Sequence, residues 1–282
     1  MEFFKEIDNS EDIRQGDIIC KVNVNTNNIE KLGVIITADC DIAQKKTSNS
    51  YNWLEIVTIS EYLRGPWSKQ QLRKLSEKRS QAICDSLNSI ISKQYDNLNP
   101  LTHETLIKWI RKSSAEDIFN NLVKAKSKNN DNLLKKLKGL EFTVDENSDN
   151  SFNLLRSAWN HFDVSEKKQL EIIQDAFKES GGFQDYFILP NLPKQEAIGF
   201  VVMLRSMWTS MASDVYLTEL DARIDGHPEA YHRLGRLNDS IRFSITQKLA
   251  FLFSRIGMPV TFESACKSAV KFNAEEFLKK NI

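Results

Sequence analysis

The sequence lacks the cysteine patterns that mark small metal and redox sites. Its four cysteines, at positions 20, 40, 84 and 266, are far apart, and none belongs to a C-x-x-C pair. This spacing excludes a zinc knuckle, a thioredoxin-like motif and a disulfide framework. The chain is therefore expected to reside in a reducing cytosol.

An excess of charge and long apolar runs are also missing. The 38 Lys and Arg residues are matched by 38 Asp and Glu residues, so no global field draws the chain to nucleic acid or to an anionic membrane. The longest apolar runs, such as AIGFVVML, are less than half a membrane span, and the acidic start MEFFKEIDNSEDI is unlike a signal peptide. We expect a cytoplasmic protein without membrane contact.

The residues that are present are sufficient for a folded core, since 41% of the 282 are hydrophobic. The first part of the chain carries β signals. Four stretches at 13–60, GDIIC, KVNV, KLGVIIT and WLEIVTI, are rich in β-branched residues, and the turn cluster NTNN lies among them. Four short strands with tight turns predict a small barrel or a strongly twisted sheet.

The pattern becomes helical after residue 60. Apolar residues from Leu72 to Ile91 recur at spacings of three and four, which predicts a long amphipathic helix before Pro100. Further helices are predicted after the N-cap residues Thr102 and Ser114 (or Ser113), and at 131–139, 151–162 and 165–179. Strand-like runs return at 183–218. A long helix follows, with its apolar stripe running from Ile241 to Ile256, and a short helix is predicted at 262–279.

These elements predict an α+β protein in which a small SH3-like or PemK-like β-barrel is split by a helical insertion and completed by a long C-terminal helix. The predicted segments are 1–60, 61–182 and 183–282. The strands of 13–60 alone would form a marginal core, and the strands of 183–218 would complete it. Three separate domains in a row are the alternative.

The stretch TADCDIAQ is the most chemically concentrated part of the chain. If the strand continues past Thr37, Asp39 and Asp41 share one face and Cys40 enters the core. Two such carboxylates can act as an acid/base pair or bind a divalent cation. Alternatively, Asp41 caps the next turn and Asp39 stays in water, and this second interpretation is favoured.

Two basic groups are candidates for binding phosphates or a partner's carboxylates. The first has six lysines against one aspartate: Lys124, Lys126, Lys128, Lys135, Lys136 and Lys138. It can follow a phosphate backbone or form a solvated helical face. The second is Arg233 with Arg236, which are three apart on an expected helix surface and can instead form packing salt bridges. His227 precedes a proline, and no metal site is predicted with His232.

The segment RSAWNH, Arg156 to His161, resembles the R-x4-6-H motif of HEPN ribonucleases. In that family the pair lies on one helix face and acts on a phosphodiester and the attacking 2'-hydroxyl. A satisfied histidine at a helix end is the alternative for His161.

IRQGDII followed by KLGVIIT resembles the opening of the MazF and PemK toxins, small SH3-like barrels that cut RNA without a metal. Lys31 stands where that family has its catalytic arginine, Thr37 at the strand-end position, and Ser60 near the place of the catalytic threonine. The resemblance implies a metal-independent endoribonuclease, with Asp39 and Asp41 as further candidates.

A longer resemblance covers both ends of the chain. CDI early and F-x-RIG-x-P late are similar to an uncharacterised bacterial group found among phage-defence and mobile-element genes. This resemblance implies one folded unit and an accessory or binding role in a defence or toxin system, with a protein partner encoded nearby or with RNA or DNA. No cofactor is expected, and the endoribonuclease is the alternative function.

Overall fold

The computed structural model describes residues 3–22, 29–46, 48–94, 99–123, 128–145, 150–178, 184–254, 261, 264–265 and 267–273. It confirms a mixed α+β protein with long helices and a largely antiparallel sheet curled into a half-barrel. The chain divides into two compact units. The sheet unit is Met1–Glu55 with Met203–Ile282, and the helical unit is Ile56–Val202. The division into three segments at residues 60 and 182 stays a prediction.

Eight strands are described: β1 (Phe4–Lys5), β2 (Asp17–Val22), β3 (Ile29–Ile35), β4 (Ser50–Thr58), β5 (Tyr186–Leu189), β6 (Phe200–Met211), β7 (Val215–Tyr216) and β8 (Tyr231–Leu237). Their order in the sheet is β1-β8-β2-β3-β4-β6-β5, and β7 pairs with β8. Asp17 of β2 pairs with Arg236 of β8, which is 219 residues away. Strands from the two ends of the chain therefore belong to one sheet.

The strands predicted at 183–218 are confirmed, because β5, β6 and β7 lie there. The number predicted at 13–60 is wrong for the described residues. GDIIC and the start of KVNV form the single strand β2, so three strands are found there instead of four. The predicted turn NTNN lies outside the described residues.

The Gly-Asp pair at the start of β2 has a structural role. Gly16 has a left-handed φ of +89°, and a Cβ atom there would lie 3.0 Å from Cβ of Arg242. The Gly16 amide donates to the Ile35 carbonyl oxygen at 2.8 Å. Only glycine adopts this conformation at low cost, so this residue allows β2 to begin beside β3.

The core of the sheet unit contains Ile13, Ile19, Ile35, Trp53, Val215 and Tyr231.

Ten helices are described: α1 (Asp39–Ala43), α2 (Ile59–Tyr62), α3 (Ser68–Gln94), α4 (His103–Ile110), α5 (Ala115–Leu122), α6 (Lys128–Glu141), α7 (Ser151–His161), α8 (Glu166–Gln174), α9 (Glu219–Asp225) and α10 (Asp239–Phe253). A π-helical turn, Leu63–Trp67, joins α2 to α3. The side chains of Thr102 and Ser114 accept backbone amide hydrogens at the starts of α4 and α5, so both predicted caps are confirmed. Residues 267–273 are helical as predicted.

The core of the helical unit is formed by side chains from α3 to α6. Leu87, Leu106, Ile118, Leu137 and Leu140 are fully buried in it. Within each helix the buried residues recur three or four apart, as Ile83 and Leu87 do in α3 and Leu133, Leu137 and Leu140 do in α6, so each helix presents one apolar stripe to a common interior.

The expected helix surface around Arg233 is wrong, because residues 231–237 form the strand β8. All seven residues of β8 are buried, and β8 has neighbours on both sides in the sheet. A strand that is buried on both faces does not alternate apolar with polar residues, so its sequence lacks the ordinary β signal.

Candidate binding surface

An exposed tryptophan lies near the end of β6. Trp208 is 42% exposed, whereas the neighbouring Trp53 is 1% exposed. Their rings stack with centroids 6.0 Å apart and 17° between their planes. The Lys31 ammonium lies 3.8 Å from the centroid of a Trp208 ring, which is a cation–π distance. Trp208 therefore contacts one rigid buried ring and one flexible cation.

Hydrogen bonds hold this tryptophan in one orientation. Its indole N–H donates to Ser206 Oγ at 3.1 Å, and the Ser206 hydroxyl donates to a Glu55 carboxylate oxygen at 2.6 Å. The Trp53 indole N–H donates to Ser210 Oγ at 3.0 Å. Because the rings are fixed beforehand, little side-chain entropy is lost when a partner binds them.

Two exposed methionines flank the tryptophan along the strand. Met207 is 45% exposed and Met211 is 50% exposed. Side chains alternate between the two faces of a strand, so these methionines lie on the face opposite to Trp208. Apolar surface is thus exposed on both faces at the end of β6.

The end of β6 also has an open side. β5 has four residues against twelve in β6. The Gly199 amide donates to the Pro190 carbonyl oxygen, which puts β5 beside the beginning of β6. Within the part of the chain that the structure describes, the end of β6 therefore has only β4 beside it in the sheet.

The β6 tip surface is our name for Lys31, Met207, Trp208 and Met211. Its charge is small. Lys21, the register partner of Lys31, forms ion pairs with Glu30 and Glu229 at 3.4 and 2.9 Å. Lys31 therefore contributes one positive charge to a mainly apolar surface.

The predicted strand end after Thr37 has a different structure. β3 ends at Ile35, and α1 begins at Asp39. Cys40 is exposed, so its predicted entry into the core is wrong. Asp39 and Asp41 do not share a face, because residues two apart on a helix point in different directions.

The two aspartates also differ in their contacts. Asp39 accepts the backbone N–H of Gln15 at 2.8 Å and an Arg242 guanidinium N–H at 2.7 Å, while its side chain stays 39% exposed. The carboxylate is therefore partly in water, and it is also paired with a cation. The start of α1, at Ala38, has no side-chain cap. Asp41 lies inside α1, where its carboxylate oxygen accepts the Cys40 thiol at 3.6 Å instead of a backbone amide, so the prediction that it caps the next turn is wrong.

Two of the three residues aligned with the toxin family, Lys31 and Thr37, are not brought together. Lys31 lies over Trp208, and Thr37 is buried, where its hydroxyl oxygen accepts the Asn52 amide at 2.7 Å. Six residues of extended chain separate Lys31 from Thr37, which corresponds to roughly 20 Å. Ser60 belongs to the other unit, where it is an exposed residue of α2.

Arg233 and Arg236 point into the protein instead of lying on a helix surface. Each residue is 4% exposed. Arg236 donates through Nε to Asp17 Oδ1 at 2.5 Å and through Nη1 to Glu11 at 2.8 Å. Arg233 donates to the backbone carbonyl oxygens of Glu11 and Asp8 at 2.7 and 3.1 Å. The two arginines thus attach the N-terminal loop to β8.

The carboxylate at the centre of this network is fully buried. Burial raises the pKa of Asp17 above its ordinary value, and the bonds from Arg236 and from the Arg14 amide only partly offset this effect. An ion pair with such a desolvation cost stabilises little by itself, but removing one partner would leave the other charge buried and uncompensated.

The predicted lysine group is only partly within the described residues. Lys124 and Lys126 lie outside them, as does the side chain of Lys128. Lys135 forms an ion pair with Asp163, and Lys138 forms one with Glu116. Lys136 is exposed on α6. Two of the three described cations are thus neutralised within the helical unit.

The Arg156 and His161 pair does not form a shared face. Five residues along an α-helix correspond to a rotation of about 140°. Arg156 is exposed, whereas His161 contacts the Phe142 ring, with centroids 5.2 Å apart. The Nδ1 atom of His161 lies 2.9 Å from the Ser157 carbonyl oxygen. This is the satisfied helix-end histidine of the alternative interpretation.

The pattern did not single out two of the sites that the structure forms. The signal for Trp208 is RSMWTSM, in which Met and Trp occupy both odd and even positions, as in a strand with no wholly polar face. Cys20 and His232 are register partners. Burial and the charge of Glu219 raise the pKa of the Cys20 thiol to about 12, so Cys20 is no nucleophile at neutral pH.

No described helix combines the length and the apolar character that crossing a bilayer requires. Among the described residues, no group of three or more His, Cys, Asp and Glu side chains is arranged to hold a metal ion. Comparison of the chain with protein-family models, with curated proteins and with solved structures finds no match.

Proposed function

We propose that this protein is a cytoplasmic, non-catalytic binding component that docks an extended segment of a protein partner on the β6 tip surface. The observation that carries the proposal is Trp208, an exposed indole held in place by Trp53, Ser206 and Lys31. Tryptophan and methionine are among the residue types enriched at protein interfaces, and tryptophan is prominent among binding hot spots.

The mode of binding that fits this surface is strand addition. The end of β6 has β4 on one side only, so its other side can offer main-chain groups to an incoming strand. A strand placed there would present alternate side chains to Trp208 on one face and to Met207 and Met211 on the other. We therefore expect the partner segment to carry apolar residues at both odd and even positions along the strand.

Charge favours a protein partner over nucleic acid. Binding to a phosphate backbone requires several unpaired cations, and its affinity falls steeply with salt. The β6 tip surface offers Lys31, while Lys21 is paired with two glutamates. An acidic side chain in the partner segment would match the single charge of Lys31.

The wider assignments rest on the sequence resemblances. The accessory role in a bacterial phage-defence or toxin system follows from the CDI and F-x-RIG-x-P motifs. The SH3-like or PemK-like character of the half-barrel is supported by the Gly16–Asp17 start of β2. Catalysis is not proposed, since Lys31 lies near the start of β3 and Thr37 lies after its end, in different surroundings.

The test is a selection of random linear peptides against the immobilised full chain. Selected peptides should carry apolar residues at both odd and even positions and bind the Trp208→Ser variant at least about thirtyfold more weakly, because a hot-spot residue contributes about 2 kcal/mol or more. Trp208→Phe keeps a ring and should restore part of the affinity. Circular dichroism would verify that each variant is folded.

The matched control is Ile198→Ser, which removes an apolar side chain that is 91% exposed in the helical unit. It should leave peptide affinity unchanged. Peptides that bind wild type and Trp208→Ser equally would overturn the proposal. Binding of labelled single-stranded RNA that requires Trp208 would replace the protein partner with nucleic acid. Cleavage of that RNA in EDTA would support the endoribonuclease.

A further inference from the structure

A cleft of about 300 Å³ opens in the helical unit. It is bounded by α3, by α4 and by the turn that follows α6. Lys69, Arg73, Ser76 and Ser80 of α3 all line it, and their spacings of four, three and four residues put them on one helix face. His103 and Ile107 line it from α4. The volume is at the lower end of the range for small-molecule sites, about 300 to 1,000 Å³.

The two helices run in opposite directions along this cleft. The Asn88 side-chain amide is bonded to both the backbone N–H and the carbonyl oxygen of Leu101, at 2.7 and 2.8 Å. The residues just before α4 thus lie beside the later turns of α3. His103 therefore faces the Ser80 end of the cleft, while Lys69 and Arg73 form the opposite end.

The floor of the cleft carries hydroxyl groups that have spare hydrogen-bonding capacity. Ser80 is 2% exposed, and among the described residues its hydroxyl donates to the Glu77 carbonyl oxygen of its own helix, over a length of 3.5 Å. This length is beyond the usual range, so the group is poorly satisfied for a buried hydroxyl. The Thr143 hydroxyl donates to the Leu140 carbonyl oxygen at 2.7 Å and can still accept a bond.

The walls of the cleft are apolar. Leu72, which is 3% exposed, and the partly buried Ile107 and Val144 line its sides. A compact ring or short aliphatic body would bury these surfaces, and its polar substituents could reach Ser80. The interior thus requires a ligand that is apolar in the middle and polar at its edges.

The rim of the cleft favours an anion. Lys69 and Arg73 bring two positive charges, one helical turn apart, and Glu77 brings one negative charge. Arg111 and Asp145 also line the cleft, but each has an interaction of its own. A guanidinium is well suited to a phosphate or carboxylate, because it donates two parallel hydrogen bonds.

We propose that this cleft binds a small organic anion, namely a compact ring-sized body that carries a phosphate or a carboxylate. Arg73 and Lys69 hold the anionic group, Leu72 and Ile107 cover the ring, and Ser80 bonds a polar substituent. The site is independent of the β6 tip surface, since every residue of it belongs to the helical unit.

Titration calorimetry on the full chain tests this proposal with adenosine monophosphate, benzoate, adenosine and inorganic phosphate as probes. Adenosine monophosphate or benzoate should bind more tightly than adenosine and phosphate, and the better of the two identifies the anionic group. Arg73→Ala should weaken that binding about tenfold, because it removes a charge-assisted hydrogen bond. Glu77→Gln should strengthen it about twofold, because it removes a like charge from the rim.

Opposite signs for Arg73→Ala and Glu77→Gln distinguish ligand electrostatics from a general loss of structure. Lys74→Ala, an exposed cation of α3 that does not line the cleft, is the matched control and should have no effect. Ser76→Phe fills the cleft and should abolish binding of all probes. The proposal is overturned if no probe binds saturably at millimolar concentration, or if binding survives both Arg73→Ala and Ser76→Phe.

Discussion

The sheet unit and the helical unit differ in how many of their large apolar side chains are exposed. Fourteen large apolar side chains are exposed among the described residues, and only three of them, Leu170, Ile188 and Ile198, belong to the helical unit. The other eleven belong to the sheet unit and include Trp208 and the phenylalanines of α10. The helical unit thus covers most of its apolar side chains, whereas the sheet unit leaves many of them exposed.

The two units also bury different polar groups. The buried charged residues Asp17, Arg233 and Arg236 all belong to the sheet unit, as does His232. In the described part of the helical unit, the buried polar residues are neutral, such as Ser80 and Gln169. The sheet unit therefore depends on charge pairs between residues distant in sequence, and the helical unit depends on local caps and apolar stripes.

The largest effect is expected from breaking the buried charge network. Asp17→Ala leaves two buried guanidinium groups without their carboxylate, which should destabilise the sheet unit by about 3 to 5 kcal/mol. Hydrogen exchange measured by mass spectrometry should show loss of protection in β2 and β8 while α3 to α6 keep theirs.

The control for this change is Lys5→Ala. This substitution breaks the ion pair between Lys5 and Asp239. The Lys5 side chain is 41% exposed and the Asp239 side chain is 50% exposed. An exposed pair contributes about 1 kcal/mol or less, so protection in β2 and β8 should hardly change. An equal loss of protection in both variants would contradict the special role of the buried network.

A medium effect is expected at Gly33. A Cβ atom there would lie 2.3 Å from Cε3 of Trp53. Gly33→Ala should therefore destabilise the protein by about 1 to 3 kcal/mol in urea denaturation, because the overpacked core must shift. Gly65, in the π-helical turn, has open space around its Cα, and Gly65→Ala should stabilise by about 0.4 to 1 kcal/mol. Equal effects of the two substitutions would refute this contrast.

The smallest effect is expected from a helix cap. The Ser114 hydroxyl oxygen accepts the Asp117 amide at 3.1 Å at the start of α5. Ser114→Ala should cost about 1 kcal/mol of unfolding free energy, with the loss confined to the helical unit. Ser92→Ala, at an exposed position within α3, is the control and should change the thermal midpoint much less. No difference between the two would mean that the cap contributes nothing.

Most of the helical unit could be predicted from the sequence because its signals are local. The apolar spacing from Leu72 to Ile91 predicted α3, and Thr102 and Ser114 marked the starts of α4 and α5. A helix bonds residues four apart, so each of these elements depends on neighbours in the chain.

β8 could not be predicted for the opposite reason. Its neighbours in the sheet are β1, β2 and β7, and its buried arginines are paired with residues of the N-terminal loop. No feature of the sequence YHRLGRL or of its neighbours indicates that Arg236 forms an ion pair with Asp17. A pattern with several charges near a proline was therefore interpreted as an exposed helix.

The candidate sites show the same limit. Lys31 was selected for its resemblance to a catalytic arginine, but its importance here comes from Trp208, which lies 177 residues further along the chain. The cleft in the helical unit also joins residues that no motif connects, since Arg73, His103 and Thr143 come from three separate elements.

By itself the sequence determined the class of fold, the positions of the long helices and the return of the chain to one sheet, because periodicity and caps are properties of consecutive residues. Only the tertiary structure decided which charges are buried and which tryptophan is exposed. Burial depends on the neighbours that a residue meets across the sheet, and those neighbours come from remote parts of the chain.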